Sequence, residues 1–537
     1  MLRAGLNGHA SRNILCVFPR YTASFGTFEH AYGLVGVQAF MPPQGLLIIA
    51  ASLPSEWPVR FVDENIRPAT AEDFRWADAV FVSGMHVQRR QIVDICNRAH
   101  AQDRTTVLGG PSVSAAPESY PGFDYLHIGE LGDATAELVR RLAHDPSRPD
   151  AQVALTTGER LPLTEFPLPA YDLIELDRYL LGSIQFSSGC PYRCEFCDIP
   201  ALYGRNPRLK TPAQIIAELD KLVARGVPDW IYFVDDNFIA NRRATVELLP
   251  HLVDWQRRNG YPLAFSCEAT LNIAKRPEIL RLMREAGFQS VFCGIETPEP
   301  EALKAIAKEH NMAVPILEAV DSLNNHGMEV VAGIILGLDS DTPDTGNRLL
   351  QFIEKSRIPM LTINLLEALP RTPLWERLER EGRLNDAAGR ESNVEFRLGY
   401  DDVVASWRHC MAEAYRPETL FARFEHQAHN TYPNRLKRPA RGRATWRNIR
   451  RGVAVLGRIL WTVGLRGDYR SEFWKFALPR LKRGDLETVM GVAIMAHHLI
   501  VFARQASAGK QNASHYSPKL RDAVEPGSLT SPSLPAS

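Results

Sequence analysis

Long apolar runs, disulfide-scale cysteine and an excess of charge of either sign are all missing from this 537-residue chain. Its longest apolar stretches are residues 45–53 and 489–503. The first is too short to cross a bilayer, which takes about 20 apolar residues. The second carries His497 and His498 in its middle. The opening segment MLRAGLNGHASRN lacks the apolar core of a secretory signal. Eight cysteines are too few for a disulfide scaffold. Lys+Arg and Asp+Glu stand at 62 each, which argues against a dedicated nucleic-acid binder. With 45% apolar residues the chain is an ordinary globular one, and these features predict a cytoplasmic protein with reduced thiols.

Residues 1–145 alternate short β-rich runs (13–18, 59–62, 79–83, 105–108, 125–128) with helical segments (44–53, 88–101, 134–143). That alternation predicts a Rossmann-like α/β domain with a parallel sheet. Ser83-Gly84, Gly109-Gly110 and Gly129-Glu130 fall at carboxyl ends of successive strands, the ligand edge of such sheets. Glycines there also serve as plain tight-turn residues. A polar, Pro-rich stretch over 146–170 reads as a linker.

Residues 171–400 alternate again, with strands predicted at 183–188, 230–235, 263–268, 290–295, 329–336 and 360–366. Six β/α units predict a partial (β/α)6 barrel, whose chemistry sits at the strand carboxyl ends. Asp235, Asp236, Glu268 and Glu296 stand at those ends, where a carboxylate can equally cap the following helix. From 401 to 510 the chain turns helical and basic. Between residues 435 and 510 there are 17 Lys/Arg against four acidic residues. Trp446, Trp461, Tyr469, Phe473, Trp474 and Phe476 are interleaved with those cations. Such a region suits an anionic membrane surface, or the core of a helical cap with solvated arginines. The Pro/Ser-rich segment 511–537 predicts a disordered tail.

The chemistry concentrates in Ser187-Ser-Gly-Cys190-Pro-Tyr-Arg-Cys194-Glu-Phe-Cys197-Asp198, directly after the first barrel strand. Three thiolates on one short loop can each hold one iron of a [4Fe–4S] cube and leave the fourth iron open. A structural zinc site would want a fourth ligand, for which only Asp198 is at hand. The other cysteines (Cys16, Cys96, Cys267, Cys293, Cys410) lie in apolar segments, where packing is their expected role.

CxxxCxxC after the first strand of such a barrel resembles the radical S-adenosylmethionine (SAM) enzymes. The resemblance implies that SAM chelates the open iron, with Phe196 near its adenine. It further implies Asp235, Asp236, Glu268, Glu296 and the stretch 333–337 (GIILG) as SAM contacts. A Rossmann-like domain placed in front resembles the cobalamin-dependent branch. It implies Ser83, Gly84, Gly109, Gly110, Gly129 and Glu130 as cobalamin-binding residues. His30-Ala-Tyr-Gly33 lacks the aspartate of the Asp-x-His-x-x-Gly cobalt-ligand motif, Phe28 standing in its place. Cobalamin bound without a histidine ligand is therefore implied, with His30 an ordinary loop residue.

Across residues 13–516, segments such as SFGTFEHAYGLVGVQAFMPPQGLLIIAA, FVDDNFIANRR and RGDYRSEFWKFALPRLKRGD are similar to the radical SAM enzymes that methylate hopanoids. That implies methyl transfer to C-2 of the hopanoid A-ring, an unactivated carbon that polar methylation cannot reach. It also implies a hopanoid lipid substrate, a low-potential electron donor of ferredoxin or flavodoxin type, peripheral membrane contact and no nucleic acid. A related enzyme acting on another lipid or catalysing oxidative cyclisation is the alternative. A metal-stabilised lipid-binding protein without catalysis is the non-enzymatic one.

Overall fold

The computed structural model describes residues 11–387, 389–437 and 446–511. In the first 156 residues, short β-branched runs form β1 (Ile14–Phe18), β2 (Val59–Asp63), β3 (Ala79–Ser83), β4 (Thr105–Gly109), β5 (Tyr125–Ile128) and β6 (Val153–Thr156). All pair in parallel, in the order β2-β1-β3-β4-β5-β6. Every residue of β1 is buried, as expected of a central strand with helices on both faces. Because β1 pairs with both β2 and β3, the chain reverses its winding there and opens a crevice at the strand carboxyl ends.

β6 corrects the reading of 146–170 as a linker. Its four residues sit at the sheet edge with alternate side chains exposed, and their apolar run, Val153-Ala154-Leu155, is only three residues long amid polar, Pro-rich flanks. The Rossmann-like domain thus extends to Thr156.

The second sheet holds β7 (Gly182–Ile184), β10 (Trp230–Phe233), β11 (Ala264–Glu268), β12 (Phe288–Glu296), β13 (Glu329–Leu336) and β14 (Met360–Leu365). All are parallel, in the order β14-β13-β12-β11-β10-β7, and β7 and β14 do not pair, so the barrel is partial. The strand expected over 183–188 is split. Asp235 accepts the backbone N–H groups of Phe186 and Ser187, and the chain turns away there. Its end, β8 (Ser187–Ser188), pairs antiparallel with β9 (Arg208–Leu209).

Side chains alternate across these strands, and the two faces are treated differently. Outward residues Ile231, Phe233, Phe265 and Phe288 are fully buried against the outer helices, with Phe233 and Phe288 rings 5.6 Å apart. Inward residues Trp230, Tyr232, Ser290 and Phe292 are only half-buried. The usual (β/α) barrel fills its centre with side chains. This one leaves it hollow.

The C-terminal helices include Tyr400–Ala414, Pro417–Asn430, Trp446–Ile459, Arg470–Leu481 and Leu486–Ser507. Among the described residues, Leu486–Ser507 is long and apolar enough to cross a membrane; half of its most apolar window is buried inside the protein. It packs on the short helix Glu29–Val35, where His498 Nε2 donates to Phe25 O at 3.0 Å. The interleaved aromatics divide into two sets. Tyr469, Phe473 and Phe476 are core residues, whereas Trp446 and Trp461 are exposed. Trp474 is half-buried and donates to Gly464 O at 2.9 Å. Arg438, Arg441, Arg443 and all but Gln511 of the expected tail lie outside the described residues.

Candidate active site

The cysteine loop leaves the barrel after β8. Cys190, Cys194 and Cys197 are half-buried and in no disulfide. Burial raises each thiol, and Cys190 and Cys194 both act on Cys197 electrostatically, so the three sulfurs share one locality. A donor set of three thiols in one locality fits three corners of a cube. The backbone of the loop is held from several sides. Asp236 accepts Gly189 N–H at 2.8 Å, Gly204 O accepts Cys190 N–H at 3.2 Å, and Ile306 O accepts Glu195 N–H at 3.0 Å.

The predicted SAM residues are brought to this mouth but differ in what they have left to offer. Asp235 is committed to Phe186 and Ser187, and burial pushes its carboxyl up to about 6. It shapes the loop rather than presenting a free carboxylate. Asp236 also anchors the loop, and burial pushes it to about 7. Glu268 rises to about 7 for the same reason, and Tyr232 Oη donates to it at 3.3 Å. Glu296 sits past a register shift in the β12–β13 ladder with φ 64°, the left-handed region. That kink turns it onto the buried Lys308, with which it forms an ion pair. Lys308 also lies 5.4 Å from the Phe196 ring. Burial opposes its charge, but Glu296 and the Cys194 and Cys197 sulfurs outweigh burial and raise it. The 333–337 stretch is mostly strand interior, with Gly337 at φ 95° against Phe396.

Reading the sequence missed Lys308, whose segment AIAKEHN carries no motif. It also missed Asn311, which donates to Gly294 O at 2.7 Å, and His310, whose ring stacks 3.7 Å from Tyr192 of the cysteine loop. Cys267 and Cys293 are fully buried on the outward face, as packing residues are. His30 lies on the helix Glu29–Val35 rather than a loop, with Nε2 3.0 Å from Gln505 Oε1.

At the carboxyl edge of the first sheet lies a cavity of about 390 Å³. Ser83, Gly84, Gly109, Gly110, Gly129 and Glu130 all line it, and so do Asp236 and Ser188 from the barrel. A Cβ added at Gly45 would meet nothing within 4 Å, and one at Gly109 nothing nearer than 3.9 Å. Both glycines line the cavity, and their bare backbone leaves room there for a broad flat group such as a corrin. Glu130 also ties the two domains together, since Arg160 and Arg208 pair with it and Ser188 Oγ donates to it at 3.2 Å.

A second cavity of about 770 Å³ occupies the hollow barrel. Its walls are mainly apolar: Phe25 and Phe28 from the N-terminal segment, Phe292 and Val331 from the strands, Val492 and Leu499 from the last long helix. Met41 lines both cavities. One side chain is therefore common to the glycine-rich edge and the apolar chamber.

Comparison with known proteins places this geometry. Residues 33–139 match the model of the B12 binding domain, residues 184–353 that of the Radical SAM superfamily, and residues 372–512 a domain of unknown function, DUF4070. The fold resembles that of OxsB, a cobalamin-dependent S-adenosylmethionine radical enzyme solved with aqua-cobalamin and S-adenosylmethionine bound. Its TM-score is 0.58 at 15% identity, covering 94% of this chain and 81% of that one. TsrM from Kitasatospora setae, a radical S-adenosylmethionine methyltransferase solved with cobalamin and a [4Fe-4S] cluster, gives 0.56 at 18% identity, covering 69% and 78%. The class is thus that of cobalamin-dependent radical SAM methyltransferases. Within it, the hopanoid C-2 methylase of Rhodopseudomonas palustris (strain TIE-1) is 64% identical over 521 residues, 97% of this chain and 99% of that protein. The chain belongs to that family.

Proposed function

We propose that the protein methylates C-2 of the A-ring of a hopanoid. The observation that carries this reading is the shared wall: a chamber built for an apolar molecule and a glycine-lined cavity meet at Met41. When bound, the iron–sulfur cluster, SAM and cobalamin supply the one-electron reduction, the hydrogen abstraction and the transferred methyl group. Cys190, Cys194 and Cys197 are the residues that would hold the cluster. Lys308 offsets the negative charge of those thiolates, and Glu296 fixes its ammonium in place. Phe196, Asp236, Glu268 and Glu296 border the region for SAM, with Asp235 bracing the loop. Ser83, Gly84, Gly109, Gly110 and Gly129 would receive cobalamin, with Glu130 closing the domains around it. The aromatic and aliphatic walls of the chamber orient the ring system and keep water out.

Two partners complete the reading. A low-potential ferredoxin- or flavodoxin-type protein delivers the electron. An anionic membrane surface receives the exposed stripe Trp446, Ile449 and Val453, spaced three and four residues apart on one helix, together with Trp461 and Leu465. Exposed Arg450, Arg451 and Arg466 flank that stripe and suit acidic headgroups.

The test is anaerobic reconstitution of the full chain with iron, sulfide and cobalamin, followed by mass spectrometry of a supplied hopanoid. A product heavier by one methyl group, positioned at C-2, is expected, and Cys194→Ala abolishes it. A cyclised or differently substituted product overturns the methylase reading. Protein without iron or cobalamin that still binds the lipid favours the non-enzymatic alternative.

A further inference from the structure

Of the polar residues lining the apolar chamber, Glu329 is the most deeply buried. Glu329 opens β13, its side chain is 2% exposed, and it lines the chamber. Its Oε2 accepts a hydrogen bond from Tyr432 Oη and lies 3.9 Å from Arg435 Nη2. Its Oε1 has no hydrogen-bond partner among the described residues. Leaving a buried acceptor unsatisfied costs more than a typical hydrogen bond returns, so this atom is open to a donor. The neighbouring floor is polar as well. Trp230 Nε1 donates to Ser266 Oγ, and Ser266 Oγ and Ser290 Oγ lie 2.7 Å apart, with Ser290 the register partner of Glu329.

This corner lies four strands along the sheet from the shared wall. Met41 belongs to the segment held against β7, where Leu181 N–H donates to Phe40 O at 2.9 Å and Ser183 Oγ to Pro42 O at 2.8 Å. Between β7 and β13 stand β10, β11 and β12. At about 4.8 Å per strand, the two sides are separated by roughly 19 Å of curved sheet. A fused-ring molecule lying across the chamber would set one end by Met41 and the other by Glu329.

We infer that Glu329 recognises a hydroxyl group on the end of the substrate farthest from the methylated carbon. The inference rests on the hopanoid reading above and narrows it: the enzyme takes a hopanoid whose side chain bears a hydroxyl in preference to the hydroxyl-free hydrocarbon. Oε1 accepts the O–H, while Tyr432 and Arg435 hold the carboxylate in place through Oε2. A hydrocarbon side chain in the same corner leaves Oε1 unpaired, which is how a polar site rejects a ligand lacking its partner group.

The experiment compares two probes on the reconstituted holoenzyme: a hopanoid with a side-chain hydroxyl and its dehydrated, alkene-bearing counterpart. Wild type is expected to favour the hydroxylated probe in kcat/KM by roughly tenfold or more. Glu329→Leu brings the ratio near unity, and Glu329→Gln, which keeps a neutral acceptor, falls between. Iron and cobalamin content report whether each variant is assembled. Should the leucine variant not assemble, the ratio for Glu329→Gln and for Ser290→Ala decides. A merely structural Glu329 lowers turnover of both probes alike and leaves their ratio unchanged, which overturns the inference while the methylase reading stands. A wild-type ratio of one overturns it too. If wild type methylates neither probe, the substrate reading itself falls and this inference with it.

Discussion

Arg377 Nε donates to Glu195 Oε1 at 2.6 Å, joining the helix Pro373–Arg380 to the cysteine loop between Cys194 and Cys197. Leu374 N–H of the same helix donates to Glu195 O at 3.0 Å. Loss of a group that orients metal ligands typically costs about 10–100-fold in metal affinity. Arg377→Ala is therefore expected to retain iron poorly. Iron and sulfide assays after anaerobic gel filtration check it, and unchanged stoichiometry under a competing chelator refutes it.

Gly110 has φ 93° and ψ −174°, a region that residues with a Cβ avoid. A Cβ there would also stand 2.4 Å from Ser83 Oγ. Gly110→Val is expected to strain the β4 turn by about 1–3 kcal/mol and to push Ser83 into the glycine-lined cavity. Cobalamin content falls while iron content holds. Equal loss of both would mean general unfolding instead.

Exposed Trp446 and Trp461 make a direct prediction for lipid binding. Full-length Trp446→Glu/Trp461→Glu protein should co-sediment with anionic vesicles at least several-fold less than wild type. Binding of wild type should weaken with salt, since each juxtamembrane cation contributes about 1 kcal/mol at low ionic strength. Sedimentation indifferent to both changes removes the membrane contact.

Three histidines lie on or against Leu486–Ser507, and one of them, His30, joins it to the Glu29–Val35 helix. His30 meets Gln505, His498 meets Phe25 O, and His497 Nδ1 meets Tyr469 Oη. Burial lowers all three, His497 to about 4 and His498 to about 3. The unfolded chain takes up these protons near pH 6.5 and the folded one does not. Stability is therefore present above that pH and is lost as pH falls toward about 4, by up to about 1.4 kcal/mol per unit per histidine. Glu29, which burial pushes to about 7 and which lies 3.8 Å from His30, works in the opposite sense but is a single group. Hydrogen exchange of both helices should accelerate between pH 7.5 and 5.5. His497→Gln should flatten that response.

The three cysteines, the two sheets and the strand-end glycines were legible because each follows from a local pattern. Short β-rich apolar runs marked the strands, and the spacing Cys190-x-x-x-Cys194-x-x-Cys197 marked the loop. Ser83, Gly110 and Glu130 were found together because successive parallel strands must end on one edge. The rest depends on distance in sequence. Asp235, expected as a SAM contact or a helix cap, is instead taken up by the backbone of Phe186 and Ser187, 49 and 48 residues earlier. Lys308 acquires meaning only from Glu296 and the thiols, and Glu329 only from Tyr432, 103 residues away. Strand β6 was hidden because its apolar run, Val153-Ala154-Leu155, is only three residues long amid polar flanks.

The hollow barrel bears on more than access. Most domains of this kind fold around their own central side chains, whereas here Trp230, Tyr232 and Phe292 face empty space. A guest molecule that fills that space takes over the role of a hydrophobic centre, and its occupancy is then linked to thermal resistance by mass action. Heat tolerance of this enzyme should thus track the abundance of its own lipid, making the substrate a conditional part of the architecture.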